Sequence, residues 1–276
     1  MLSLTKLAAL LASKKLGETL YIFEELPSTN TFALERAKKH AHQTTVILAD
    51  RQTAGRGRLN RSWFSPGESN IYGSLLFKHD KPIQHLGYLG WIPLMAGVAI
   101  AQAIETHTGI RIHLKWPNDL LIVDRKVGGV LSESFSNAEK NISVIIGFGI
   151  NVNLSESEFP QDLQNSATSL QIHCHQPVDR ESLIIQIVAA LERGWEDLNT
   201  NRHQTWQLAY RNRCVTIGQT VQVQFPDGNQ LYGLAHSIGE GGQLQIIPSP
   251  STINDQSARM RDIHSGEILH IRTAHL

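Results

Sequence analysis

Residues 49–63 read Ala-Asp-Arg-Gln-Thr-Ala-Gly-Arg-Gly-Arg-Leu-Asn-Arg-Ser-Trp, a stretch whose side chains can hold an anion. Arg56, Arg58 and Arg61 carry planar guanidinium forks that match phosphate and carboxylate oxygens. Gly55 and Gly57 let the backbone bend and come close to a ligand. A cationic loop leaving the apolar segment 45–49 therefore reads as a clamp over an anionic small molecule. The plain alternative is a solvated basic turn. Trp63 and Phe64 weigh against it, because two aromatics directly after such a turn would leave apolar area in water. Two shorter stretches share the chemistry: Lys115-Trp116-Pro117-Asn118-Asp119 and Lys126-Val127-Gly128-Gly129. A lysine beside glycines meets a phosphate or carboxylate as a point charge. A carboxylate at a strand end could bind Mg2+, organise a ribose or orient the lysine. Taken alone, Asp119 is more often a turn former and Lys126 a solvated hairpin lysine.

Elements must position these groups. Residues 4–15 read as an amphipathic helix, with Leu4, Leu7, Leu10 and Leu11 on one side. A short strand, 20–23, ends at Glu24-Glu25, and Pro27-Ser28-Thr29-Asn30 is a capped turn opening a helix over 31–40. Caps beside a strand end are also placed to hydrogen-bond a polar ligand head. Strand 45–49 leads into the arginine loop, and 70–77 alternates as another strand. Pro93 opens and Gly109 closes an Ala-rich apolar helix, whose composition predicts burial against a sheet. Strands over 112–116 and 120–123 flank the turn 117–119, and a second turn at Asp124-Arg125 leads into 126–133. That hairpin can bring Asp119 near Lys126. The strand 144–150 carries Gly147 and Gly149 at alternate positions, which predicts close approach of a backbone or ligand on one face.

Residues 155–179 are polar and irregular. Asp179 then caps a helix to Leu198, and another helix spans 203–211. The character changes near Asn212. Short alternating runs at 220–225, 231–237, 243–247 and 268–272 read as a small antiparallel barrel of a size that needs a neighbour. Two domains are expected, 1–211 and 212–276.

Lys plus Arg number 25 and Asp plus Glu 25, so no global field steers this 276-residue chain toward nucleic acid or a membrane. Any anion site must be local. Cys174 and Cys214 lie far apart without a CxxC pair, which disfavours a structural metal or a disulfide framework and makes a reducing cytoplasm the simplest setting. His173-Cys174-His175 reads as a surface loop before a metal site. No run reads as long enough to span a bilayer, and the N-terminal apolar stretch lacks the flanks of a signal peptide. There is no Walker A loop, GxSxG elbow or HExxH helix.

In order along the chain stand Ser-Thr-Asn before a helix, Gln-Thr-Ala-Gly-Arg-Gly-Arg, Lys-Trp-Pro-Asn-Asp, Lys-Val-Gly-Gly and Gly-Phe-Gly-Ile-Asn-Val-Asn. That combination strongly resembles the biotin–protein ligases, over about residues 23–272. The resemblance implies an α+β fold: a mixed β-sheet catalytic domain flanked by helices, of the class II synthetase or biotin–lipoate ligase kind, followed by a small SH3-like β-barrel. It implies that biotin and MgATP give biotinyl-5′-AMP and pyrophosphate, and that a lysine of a biotin carboxyl carrier protein then takes the biotinyl group.

By matching positions, Ser28, Thr29, Asn30, Gln52, Gly55, Arg56, Lys126 and Gly128 would line the biotin site. Lys126, Arg56 and Arg58 would be the catalytic cations. Arg58, Arg61, Trp63, Asn118, Asp119, Asn151 and Arg272 would contact the nucleotide, and Asp119 would help hold Mg2+. The arginine loop would be a mobile lid that orders over the adenylate. Two departures stand out: Leu59-Asn60 occupies a place where the family usually has a residue followed by Gly, and Arg272 follows Glu267 one residue late. Bifunctional members carry an N-terminal DNA-binding domain, whereas only a short helix precedes the fold here, so a monofunctional ligase without nucleic-acid or membrane partners is expected. Edge strands could pair into a homodimer. Alternatives are a lipoate or octanoyl ligase of the same fold, whose Arg-Arg…Gly-Gly-Gly-x-Val-x-His-Asp pattern is reduced here to His79-Asp80, and a non-enzymatic regulator that binds biotinyl-AMP.

Overall fold

Runs of apolar residues, buried on both faces, build the central strands of the sheet on which everything else rests. The computed structural model describes residues 2–14, 17–39, 44–79, 88–136, 142–200, 202–249 and 259–270. After helix α1 (Leu4–Lys14) come β1 (Thr19–Leu26), α2 (Thr29–Lys38), β2 (Thr45–Gln52), β3 (Ile71–His79), α3 (Ile92–Thr108), β4 (His113–Lys115), β5 (Asp119–Ile122), β6 (Arg125–Ser136) and β7 (Ile142–Ile150). The strands form one seven-stranded sheet in the order β1-β2-β3-β7-β6-β5-β4. Only β1 and β2 pair in parallel, so the sheet is mixed.

Its two faces are covered differently, and this creates the site. On one face Val46, Leu48, Leu75, Phe77 and Ile146 pack in one continuous core with α3 and with α5 (Arg180–Asn199). Helix α3 buries apolar residues around its whole circumference, as expected of a helix inside a core. It starts with Pro93 in its first turn and ends at Gly109, whose φ of 75° lies in the left-handed region. The opposite face is covered by the short α2, through Ala33 and Ala37 against Ile47, Leu76 and Ile145. Beyond β7 that face carries the glycines of β6 and β7 and the side chains that lie over them.

Helices α4 (Leu170–Cys174) and α6 (Gln204–Arg211) flank α5. The chain then enters a five-stranded antiparallel sheet of β8 (Thr220–Gln224), β9 (Gln230–Ile238), β10 (Leu244–Pro248), β11 (Arg261–Ile263) and β12 (Glu267–His270), in the order β11-β10-β9-β8-β12. This sheet is fastened to the first. Cys214 bridges Leu114 on the β4 edge. The Trp91 and Trp116 indole N–H groups donate to the Glu240 and Gly242 carbonyls at 2.6 and 3.1 Å. Val221, Val223, Ile246 and Ile268 belong to the same apolar cluster as α3.

Several expectations need adjusting. Helix α2 begins at Thr29, with Ser28 as its N-cap. Helix α4 arises inside the stretch read as irregular, started by the Ser169 cap. Strand β11 is new, and the last strand is described only to His270, so 271–272 lie outside the described residues. Residues Leu89–Thr108 are, by length and composition, apolar enough to cross a bilayer, contrary to the reading above, but most of that window is buried inside the fold. Phe64 stays exposed, unlike its neighbour Trp63.

Candidate active site

The floor of the open half-face is made by missing side chains. Across the sheet, Asp119 pairs with Gly129, Gly129 with Gly149, and Leu131 with Gly147. Paired residues share a face, so these glycines pave one strip. A Cβ at Gly147 would fall 1.8 Å from Asn30 Oδ1, and one at Gly149 would fall 2.4 Å from Trp63 Nε1. The alternate glycines thus make room for an amide and an indole, side chains where the spacing predicted a backbone or ligand.

At one end of the strip stands a buried polar wall. Gln52 Oε1 accepts the Thr29 backbone N–H at 2.9 Å, and Gln52 Nε2 donates to Ser65 at 3.1 Å. Ser74 Oγ lies 2.8 Å from Thr29 Oγ1 and 2.6 Å from Asn30 Oδ1. Asn30 Nδ2 donates to the Leu131 carbonyl and to Glu133. Ser28 accepts the Thr31 N–H, the capping role. Gly55 lies below this wall, where a Cβ would meet Ser65 Oγ at 2.5 Å and the Trp63 carbonyl at 2.6 Å.

The arginine loop is a small hairpin in this structure. Trp63 N–H donates to the Gly55 carbonyl, Arg56 bridges Ser62, and Gly57 N–H donates to the Arg61 carbonyl. Its tip turns through Leu59 and Asn60, both left-handed with φ of 54° and 59°. Arg56 pairs with Glu133 at 2.7 Å. Arg61 is forked onto Glu267 of β12, and Arg58 Nη1 approaches the Gly266 carbonyl at 3.5 Å. Burial pushes the Arg58 guanidinium below its ordinary value, with Asp119 opposing.

Lys126 reaches the strip through a bulge. Leu120 pairs with Gly128 but Leu121 with Lys126, so one extra residue, Val127, is inserted in β6. Such bulges re-aim side chains. Lys126 Nζ lies 2.6 Å from Asp119 Oδ1 and 5.2 Å from the Trp63 ring centroid, at cation–π range. The expected hairpin contact between Asp119 and Lys126 is therefore present. Asn118 Nδ2 donates to the Val130 carbonyl, and Asn151 Nδ2 to the Thr168 carbonyl, so both amides brace the backbone at the rim. Arg272 lies outside the described residues. Among the described residues no three His, Cys, Asp or Glu side chains gather as a metal cage. Asp119 alone fits Mg2+ only in the way that ion commonly binds, through one carboxylate and the phosphates of a substrate. His173 of the His-Cys-His trio is engaged with Thr168 at 3.0 Å.

Two cavities meet at Lys126. One runs from Thr29, Asn30 and Gln52 along the glycine strip under the hairpin. The other, about 980 Å3, opens past Asn151, Phe159, Leu163 and Leu269. Ser62, Trp63, Lys115, Asp119 and Lys126 line both. Sequence reasoning did not single out Ser74, Glu133 or Glu267 as site residues. No local pattern marks them, since their partners lie 45, 77 and 206 residues away.

Residues 22–151 match the biotin/lipoate A/B protein ligase family. The bifunctional ligase/repressor BirA of Bacillus subtilis is 35% identical over 236 residues, covering 86% of this chain and 71% of that protein. The biotin–[acetyl-CoA-carboxylase] ligase of Mycobacterium tuberculosis is 31% identical, covering 89% and 86%. The Aquifex aeolicus biotin protein ligase in complex with biotin and ATP superposes with a TM-score of 0.74 at 27% identity, covering 93% of this chain and all of that one. This chain belongs to the biotin/lipoate A/B protein ligase family.

Proposed function

We propose that this protein is a biotin–protein ligase, which joins biotin to ATP as biotinyl-5′-AMP and then passes the biotinyl group to a lysine of a biotin carboxyl carrier domain. One observation carries the reading. The Lys126–Asp119 pair stands where a narrow polar-ended channel meets a wide cavity. The channel, ending in Thr29, Asn30 and Gln52, suits a small acid with a polar head. The wide cavity suits a nucleotide. The acid's carboxylate would then meet the α-phosphate at the Lys126 ammonium.

The chemistry asks the protein to neutralise and position anions. A biotin carboxylate oxygen attacks the α-phosphorus, and pyrophosphate leaves with the electron pair of the broken P–O bond. Lys126 offsets the charge gathered at that phosphorus, and Asp119 holds the ammonium there. Trp63 provides an apolar wall, and Arg56, Arg58 and Arg61 ride on the hairpin that shields the acyl phosphate from water. In the second step the carrier amine attacks the acyl carbon and AMP departs. Mg2+, arriving with ATP, would supply further charge neutralisation, with Asp119 as the carboxylate available to it. We assign 1–211 as the catalytic domain and 212–276 as the appended sheet, with β1 as the open edge for any homodimer. The free thiols Cys174 and Cys214 suit a cytoplasmic setting.

The names of the relatives favour biotin over lipoate. The test is incubation of the protein with ATP, Mg2+, a carrier domain and either labelled biotin or labelled lipoate. Biotin-dependent pyrophosphate release and a labelled carrier are expected, with no label from lipoate. Failure to form any biotinyl adenylate overturns the reading, and label from lipoate alone replaces it with the sister activity.

A further inference from the structure

The strand that carries Lys126 changes neighbours where the lysine stands. Strand β7 pairs with β6 from Gly128 to Ser136, and Asn151, just past the end of β7, gives its N–H to the Val127 carbonyl. At Lys126 the place of β7 is taken by residues 166–168, which arrive from the loop before α4 as a parallel bridge centred on Ala167. Lys126 donates its backbone N–H to the Ser166 carbonyl at 2.8 Å, and its carbonyl accepts the Thr168 N–H at 2.9 Å. Both backbone groups of the lysine are thus held by one segment, beside the bulge that turns its side chain into the site.

Thr168 is the knot of that segment. It is fully buried, and its carbonyl accepts the Asn151 side-chain amide at 3.1 Å. Its hydroxyl oxygen accepts from Arg125 Nη2 at 3.3 Å and lies 3.0 Å from His173 Nε2. A guanidinium only donates, so the hydroxyl proton goes to the imidazole, which makes His173 neutral with Nε2 as the acceptor. Burial first, then the charges of Arg125 and His175, hold His173 below its ordinary value against Glu156, in keeping with that neutral form. Arg125 is itself moored to Glu156 at 3.1 Å. One hydroxyl therefore ties the segment to β6, a residue before Lys126, and to α4.

We propose that Thr168 is a positioning residue: its hydroxyl, held between Arg125 and His173, fixes the segment 166–168 and through it the backbone of Lys126 and the amide of Asn151. This rests on the ligase reading above, in which the Lys126 ammonium must meet an α-phosphate. Thr168 touches neither the acid nor the phosphate in that reading and acts through the lysine. If the segment slides, the 2.6 Å contact of Lys126 Nζ with Asp119 is lost and the ammonium swings away from the junction of the cavities. A misplacement of about 1 Å at a reacting group costs up to about a hundredfold in rate.

Thr168→Val keeps the shape and loses the hydroxyl, whereas Thr168→Ser keeps the hydroxyl. The Val variant is expected to lose about tenfold or more in kcat for biotin-dependent ATP–pyrophosphate exchange, with the KM for biotin moved by less than about twofold, because the wall of Thr29, Asn30 and Gln52 is untouched. The Ser variant should keep most of the rate. Acetylation of Lys126 by acetic anhydride, read by peptide mass spectrometry against the exposed Lys38, needs no turnover. A carboxylate keeps an ammonium protonated, so an ammonium freed from Asp119 should label about threefold faster or more in Thr168→Val. His173→Leu removes the acceptor from a half-buried position, should show the same pattern, and serves if Thr168→Val misfolds. No exchange in the wild type overturns the ligase reading and leaves the labelling to judge Thr168. Wild-type labelling of Lys126 in the Val variant, or a loss that the Ser variant shares in full, would overturn the proposal.

Discussion

At the scale of single residues, the site depends on which groups are charged and which side chains are absent. The Lys126 ammonium is the cation held at the junction of the two cavities. Removing it should slow a reaction that joins two anions by a factor of the order seen when a preorganised charge-stabilising donor is lost, about 10² to 10³. Lys126→Ala is thus expected to lose biotin-dependent ATP–pyrophosphate exchange by at least that lower figure with an unchanged circular dichroism spectrum; near-normal exchange would refute the assignment. Gly149 makes the complementary case. Its absent methyl would sit 2.4 Å from Trp63 Nε1 and 2.7 Å from Cε2, so Gly149→Ala must displace the indole. Overpacking of this kind costs about 1–3 kcal/mol. Urea denaturation and ATP titration should both register it, and a variant with wild-type stability and wild-type indole fluorescence would place Trp63 elsewhere in solution.

At the scale of elements, the arginine hairpin is the part we propose as the lid. Its tip carries Leu59 in the left-handed region, next to Asn60, which stands where the family usually has Gly. Leucine in the left-handed region loses about 1–2 kcal/mol relative to a relaxed conformation, and glycine does not. Leu59→Gly should therefore favour the closed hairpin and slow release of labelled biotinyl-5′-AMP by about fivefold or more. Faster release after dilution would mean that this hairpin is not the lid. The hairpin also marks the limit of what could be read in advance. Its glycines, arginines and Trp63 stand together in the sequence, so a bent cationic loop was legible. So were the ends of α3 from Pro93 and Gly109, the Asp179 cap of α5, and the Asp119–Lys126 contact, because each is set by neighbours in the chain. The attachment of Arg56 to Glu133 and of Arg61 to Glu267 was not legible, since it depends on β6 and β12 arriving from distant sequence. Strand β11 has only three residues and exposes two of them, leaving no alternation to recognise. The Val127 bulge was equally hidden: a run of Lys-Val-Gly-Gly reads as continuous strand until its register with β5 is known.

At the scale of the molecule, the question is whether the C-terminal sheet is an appendage or a wall of the site. Sequence change near Asn212 marks a boundary of composition, but the apolar cluster crosses it without a gap. Glu267 holds the hairpin, and Gly266, Glu267 and Ile268 line the channel. Two indoles on the catalytic side place their N–H groups on carbonyls of the turn between β9 and β10, and the Trp116 backbone N–H donates to Thr216 at 3.1 Å. With this much shared burial, the two parts should melt together. Differential scanning calorimetry of the whole chain is expected to give one transition, whereas two resolved transitions would mean that the sheet folds as a separate unit. Trp116→Phe probes the same seam locally. It keeps the aromatic packing but removes the donor to the Gly242 carbonyl, and leaving a buried acceptor unsatisfied costs about 1–3 kcal/mol. If the seam is a wall of the site, that variant should lose adenylate retention as well as stability, because the segment that carries Glu267 is no longer held against the hairpin. Lost stability with wild-type retention would separate the two, and would leave the C-terminal sheet a support for the fold alone.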